Sequence, residues 1–120
     1  MDDNRKEFFR DLAGRVHDLV VTNKLYLDHR LSLDDVADKL EVSRYYVSHA
    51  VNKYLGKTFH TLVNELRIEE AIRLMKEPGV KKIQDLYRTV GFADRSNFTR
   101  VCKRTTGLSP SELKDKMNNK

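Results

Sequence analysis

Residues 33–62 read LDDVADKLEVSRYYVSHAVNKYLGKTFHTL, and residues 83–113 read IQDLYRTVGFADRSNFTRVCKRTTGLSPSEL. The second stretch repeats the first, one residue longer, in the spacing of its apolar, glycine and capping positions. Leu33, Val36, Ala37 and Leu40 fall at i, i+3, i+4 and i+7, the stripe of a short amphipathic helix, and Ile83, Leu86, Tyr87 and Val90 repeat it. A tight break follows each time, at 41–43 and at 91–94. Ser43 and Asp94 then stand where a side-chain oxygen can accept from the free N–H groups of the next helix. That helix carries Val47, Ala50 and Val51 in one copy and Phe98, Val101 and Cys102 in the other. Gly56 and Gly107 supply the backbone that ends it, and Thr58 and Ser109 begin another helix. Two short helices across a tight turn, the second with a full polar face, describe a helix-turn-helix. The expected fold is all-α: two helix-turn-helix lobes joined by a long linker helix, about seven helices in all.

The linker is expected from Thr58 to Met75, stopped by Glu77-Pro78-Gly79. Its apolar residues are Phe59, Leu62, Val63 and Leu66, then Ile68, Ala71, Ile72, Leu74 and Met75. At about 100° per residue, their mean direction swings by roughly half a turn between the two halves. Such a helix completes one core with its first half and another with its second. At about 1.5 Å per residue it is about 27 Å long, comparable with the ~34 Å between successive major grooves on one face of a duplex. Phe9, Leu12, Val16, Leu19 and Val20 predict a further helix within 8–26 that packs on the first lobe, with Ser32 capping the helix at Leu33. The first few residues and Met117 to Lys120 are expected to fray. The expected division is 1–76 for the N-terminal helix, first lobe and linker, and 77–120 for the second lobe, together one domain.

Charge singles out the same places. The 120-residue chain has a formal net charge of +5. Between Val42 and Asn64 no residue is acidic while Arg44, Lys53 and Lys57 are basic; between Arg95 and Ser111 again none is acidic, against Arg95, Arg100, Lys103 and Arg104. The remainder of the chain is net negative. An acid-free face that occurs once is a solvated helix; twice, at corresponding places, it is the footprint of a surface facing phosphates. No apolar run approaches the roughly 20 residues of a membrane span. Cys102 is the one cysteine and cannot form an internal disulfide, which fits a reducing cytoplasm. His17, His29, His49 and His60 show no ligand spacing, so neither a metal nor another cofactor is expected, and no catalytic constellation is present.

Ile83-Gln84-Asp85-Leu86, Gly91-Phe92, Asn97-Phe98-Thr99-Arg100-Val101-Cys102-Lys103 and Gly107-Leu108-Ser109-Pro110 resemble the signature of the AraC/XylS transcriptional regulators. Leu66-Arg67-Ile68-Glu69-Glu70-Ala71 is similar to that family's linker helix. The resemblance covers roughly 8–114. It implies a cytoplasmic, sequence-specific DNA-binding domain whose two recognition helices enter the major groove. The expected partners are double-stranded DNA and RNA polymerase, with no membrane contact by this segment, which is expected to be a monomer. The lead-in helix resembles that found where such a domain ends a longer regulator, so a C-terminal piece of a signal-responsive protein is the expectation.

The faces opposite the apolar stripes name the base-reading candidates: Arg44, Tyr45, Ser48, His49 and Asn52 in the first lobe, and Arg95, Ser96, Thr99 and Arg100 in the second. Arginine can bond bidentately to guanine O6 and N7, whereas serine and histidine discriminate less. Lys53, Lys57, Thr58, Lys103, Arg104 and Ser109 suit phosphates, which fix register without reading sequence. The site is therefore expected to be asymmetric and bipartite. Three residues depart from the family pattern. Glu41 stands where glycine is usual, Tyr87 where a small residue is normal at the crossing of the second lobe's two helices, and Cys102 where a bulky aromatic is common; Tyr87 is expected to push the helices apart or to turn its hydroxyl outward, with filling of the volume that Cys102 leaves as a compensation. A helical protein-interaction adaptor is the alternative, and would bind independently of salt. An enzyme of the DNA-repair methyltransferase kind would need an exposed, low-pKa cysteine, and the stripe position of Cys102 points inward.

Overall fold

The computed structural model describes residues 2–79 and 82–118. Among them are seven α-helices and no strand: α1 (Asp3–His17), α2 (Leu33–Leu40), α3 (Arg44–Ala50), α4 (Phe59–Met75), α5 (Leu86–Thr89), α6 (Arg95–Thr106) and α7 (Pro110–Asn118). Two compact units result, one of residues 1–25 and 31–63, the other of 26–30 and 64–120. The linker α4 contributes buried Leu62 and Val63 to the first unit and buried Ile68, Ala71 and Met75 to the second. Its two halves thus serve different cores, which is why its apolar direction swings.

The first unit is built on local signals. Ser32 and Asp35 close a reciprocal capping box at the start of α2: Asp35 N–H donates to Ser32 Oγ and Ser32 N–H to Asp35 Oδ2, both at 3.1 Å. Val36, Ala37, Val47, Ala50 and Val51 are buried where α2 and α3 cross, as the two stripes require. Ser43 accepts from Tyr45 N–H at 3.1 Å. After Ala50 the chain widens into a π-helical turn, Val51–Leu55, before Gly56 turns left-handed at φ 71°. The N-terminal helix begins earlier than its apolar pattern suggests, because Asp2 Oδ1 accepts from Arg5 N–H at 2.8 Å and caps α1 at Asp3. It also ends earlier, passing into a π turn at Asp18–Thr22 and a 3-10 turn at Leu25–Leu27. Met117 is inside α7 rather than frayed; Met1, Asn119 and Lys120 lie outside the described residues.

The second unit holds Ile68, Ala71, Met75, Leu86, Val90, Phe92, Phe98, Val101 and Cys102 in one core. The helix expected at Ile83–Val90 is only a 3-10 turn, Ile83–Asp85, followed by the four residues of α5. Its start explains this. Lys82 stands where the first unit has Ser32 and makes no side-chain cap, so the first turn closes as a 3-10 turn through the Asp85 N–H to Lys82 C=O bond at 3.0 Å without a capping side chain. Downstream the caps are as expected: Asp94 Oδ1 accepts from Asn97 N–H at 2.7 Å, and Ser109 and Glu112 close a second capping box. Lys114 Nζ donates to the Met75 carbonyl and so ties α7 to the end of α4. Tyr87 packs its ring partly against the core and turns its hydroxyl outward to Arg88 Nη2 at 3.0 Å.

Both helix-turn-helix turns use one backbone device. Val42 N–H reaches back to Ala37 C=O at 3.1 Å and Phe92 N–H to Tyr87 C=O at 2.8 Å, around a left-handed residue, Glu41 (φ 57°) or Gly91 (φ 100°). Glu41 is exposed, so its side chain has room and only the backbone is strained. Gly91 has no room: a Cβ there would overlap Tyr26 O and lie 2.8 Å from Arg67 Nε. Arg67 itself is 8 % exposed. It donates from Nε to Tyr26 O at 2.7 Å and from Nη2 to Asp28 O at 2.9 Å, with its guanidinium over the Phe92 ring.

Glu41→Gly should relieve the left-handed strain and raise stability by about 0.5–1 kcal/mol, whereas Gly91→Ala should lower it by roughly 3 kcal/mol or more through overlap and strain combined. Denaturant unfolding of both variants checks the contrast, and equal effects would refute it. Tyr87→Ala should cost about 2 kcal/mol, below the range for a fully buried aromatic because the ring is only partly covered. A change within about 0.5 kcal/mol would show that Tyr87 does not fill the space beside Cys102.

Candidate nucleic-acid interface

The polar face of α6 is continuous. Arg95, Ser96, Thr99, Arg100 and Lys103 line one open concavity, while Phe98, Val101 and Cys102 on the opposite side are buried. All four base-reading candidates of the second copy, and one phosphate candidate, therefore share a surface. Neither arginine in it is loose. Arg95 Nη2 lies 2.9 Å from Asp85 Oδ1, and Arg100 Nη2 donates to Asn97 Oδ1 at 2.6 Å. Arg104 is exposed.

On α3 and its π turn, Arg44, Tyr45, His49 and Asn52 are exposed and Ser48 is half-buried. Tyr45 is 77 % exposed. Arg44 Nε lies 3.5 Å from Asp34 Oδ1, an open ion pair worth less than about 1 kcal/mol to stability. His49 is partly committed to the scaffold, since its ring meets buried Phe9 edge-on at 4.5 Å between centroids. Phe9 also meets Tyr46 at 5.6 Å, and Tyr46 in turn meets Phe8. This aromatic group locks α1 to the back of α3 and aims the helix outward. The sequence pattern did not single it out, because Phe8 and Tyr46 lie off the apolar stripes.

The phosphate candidates are of two kinds. Lys53 and Lys103 are exposed, and Lys57 is half-buried and engaged within the molecule. Thr58 and Ser109 use their hydroxyls internally, Thr58 accepting from Thr61 N–H at 3.1 Å and Ser109 from Glu112 N–H at 3.2 Å. The start of α7 also has its own anion. Glu112 Oε1 accepts from Ser109 N–H at 2.9 Å, and this bond with the hydroxyl holds the Glu112 carboxyl below its ordinary value. Any phosphate contact at Ser109 therefore competes with a carboxylate already in place.

Cys102 is buried, its Sγ 3.9 Å from Thr106 Oγ1, and burial pushes the thiol above its ordinary value. It is a protonated core residue, without the thiolate that nucleophilic or redox chemistry requires. Among the described residues no group of three His, Cys, Asp or Glu side chains could hold a metal ion. Among the same residues no helix is long and apolar enough to cross a membrane.

The profile of a helix-turn-helix domain family matches residues 36–116. Among curated proteins, the regulatory protein PocR of Salmonella typhimurium is 32 % identical over 97 residues, covering 78 % of this chain and 32 % of PocR. The HTH-type transcriptional regulator YijO of Escherichia coli is 30 % identical over 106 residues, 85 % of this chain and 37 % of that protein. The chain thus spans about a third of the length of these relatives. Among solved structures, the C-terminal domain of AraT, a response regulator from Geobacillus stearothermophilus, superposes with a TM-score of 0.80 at 26 % identity, covering 88 % of this chain and 84 % of that one.

Because the Glu112 carboxyl is held below its ordinary value, the α7 capping box adds stability that is full above about pH 4.5 and is lost as pH falls through the lower folded-state value. Glu112→Gln should flatten the acid limb of a thermal-stability profile below about pH 4.5; an unchanged limb would show that the carboxylate contributes nothing there.

Proposed function

As the chain belongs to the AraC/XylS family of helix-turn-helix transcriptional regulators, whose DNA-binding domain it forms, we propose that it reads an asymmetric, bipartite duplex site with α3 and α6, each in the major groove. The observation that carries this reading is the shared polar face of α6, where two arginines, two hydroxyls and a lysine converge opposite a sealed core. Arg95 and Arg100 are the guanine-reading candidates, Ser96 and Thr99 the adaptable ones, and Lys103 and Arg104 anchor phosphates. In the first unit Arg44, Tyr45, Ser48, His49 and Asn52 read the other element, Tyr45 by packing on a thymine methyl or a sugar, and Lys53, Lys57 and Thr58 meet phosphates; Ser109 of the second unit completes the phosphate set. The second element is the richer source of hydrogen-bonded specificity, since the first has one arginine and fewer charges.

The division of labour follows 1–76 and 77–120, with the linker shared. The domain binds as a monomer in the cytoplasm, within a longer signal-responsive regulator that works through RNA polymerase. The relatives' greater length supports only the placement of this domain within a longer protein.

Selection of bound sequences from a randomised duplex library should return two short elements about one helical turn apart. A single element would refute the two-helix reading. Affinity for the selected duplex should fall steeply with salt, whereas salt-independent binding would favour a protein adaptor. Arg100→Ala should weaken binding by roughly 10- to 100-fold, corresponding to about 1–3 kcal/mol, and relax preference at one base pair only.

A further inference from the structure

We propose that Asp85, and Asp34 in the first unit, determine specificity by positioning: each restrains the arginine that opens a recognition helix, withholding it from backbone phosphates while leaving it able to take guanine. The inference rests on the reading that α3 and α6 face DNA. In both units the arginine at the first helical position pairs with an aspartate ten residues earlier, Arg95 with Asp85 at 2.9 Å and Arg44 with Asp34 at 3.5 Å.

The two aspartates are not equivalent in the repeat. The register partner of Asp85 is Asp35, whose carboxylate is already engaged by Ser32 in the α2 capping box. In the first unit the contact to Arg44 therefore falls to the neighbouring Asp34. In the second unit Lys82 replaces Ser32 and offers no hydroxyl, so the Asp85 carboxylate is free of capping and takes Arg95. The same contact is made by non-corresponding residues, so it is not a passive remnant of the duplication.

The chemistry distinguishes the two kinds of acceptor on DNA. A guanidinium has five N–H donors, and Asp85 engages one nitrogen of Arg95. Guanine O6 and N7 are uncharged and can accept from the remaining donors while the carboxylate stays in place. A phosphate is an anion and is repelled by Asp85 well within the ~8–10 Å screening length. The aspartate therefore weakens contact with arbitrary DNA more than contact with a guanine. Arg100 provides the internal contrast, since its partner Asn97 Oδ1 is neutral and leaves the full charge available.

The test compares the duplex selected from the library with a scrambled duplex of the same length, by anisotropy titration over a range of salt. Asp85→Asn should tighten binding to the scrambled duplex by roughly three- to tenfold, change binding to the selected one by less than about twofold, and steepen the salt slope on the scrambled duplex by up to about one. Asp85→Glu should restore the wild-type ratio, and in an Arg95→Ala background Asp85→Asn should do nothing further. Asp34→Asn makes the same prediction through Arg44 and serves if Asp85→Asn does not fold. An unchanged ratio and slope in a folded variant, or the same shift without Arg95, would overturn the inference and leave the DNA-reading function intact. Wild-type protein that does not distinguish the two duplexes would overturn that function as well.

Discussion

A buried guanidinium bonded to main-chain carbonyls holds the second unit together. Arg67 lies in the part of α4 that serves the second unit, and burial pulls it below its ordinary pKa, a shift the Asp28 carboxylate partly offsets. Its bonds to the Tyr26 and Asp28 carbonyls bring residues 26–30, which lie between α1 and α2 in sequence, into the second unit. Carbonyl acceptors let the arginine stay charged without a desolvated carboxylate beside it, which a buried ion pair would require. The rest follows from that packing. Phe92 lies under the guanidinium, and Gly91 sits so close to Nε and to the turn at Tyr26 that no side chain fits. The turn of the second helix-turn-helix is thereby fixed by a residue of the linker.

The comparison of the two turns shows how one motif tolerates different residues. Each closes with the same six-residue hydrogen bond around a left-handed residue. Glycine at position 91 is a demand of space; at position 41 only the dihedral matters, and an exposed glutamate meets it with local strain. Sequence spacing identified both turns, but the difference between strain and exclusion depends on what lies against the Cβ position.

The candidate interface shows a similar division. The polar faces of α3 and α6 were legible because burial of Val47, Ala50, Val51, Phe98, Val101 and Cys102 leaves only one way for the remaining side chains to point. The partners of those side chains were not. Asp34, Asp85 and Asn97 hold three of the arginines, and the ten-residue spacing of the two ion pairs is visible in the sequence only once the turn geometry is known. His49 reads as a free face residue until α1 brings Phe9 against it. For Tyr87 the sequence left a core-filling ring and an outward hydroxyl both open, and the shortness of α5, which leaves the ring partly covered, goes with a hydroxyl that reaches Arg88.

By itself the sequence determined the duplicated helix-turn-helix, the caps at Ser32, Ser43, Asp94 and Ser109, the left-handed exits at Gly56 and Gly107, and a linker serving two cores. Each of these depends on interactions within about seven residues, and periodicity and capping chemistry record such interactions directly. Tertiary structure alone decided that Arg67 is a core residue, that Gly91 is irreplaceable, that Asp85 serves an arginine while Asp35 serves a cap, and that the helix before Val90 shrinks to a few residues. These outcomes turn on which groups meet across tens of residues of chain. A guanidinium is expensive to bury until its carbonyl partners are in place, and no local pattern records where those carbonyls will be.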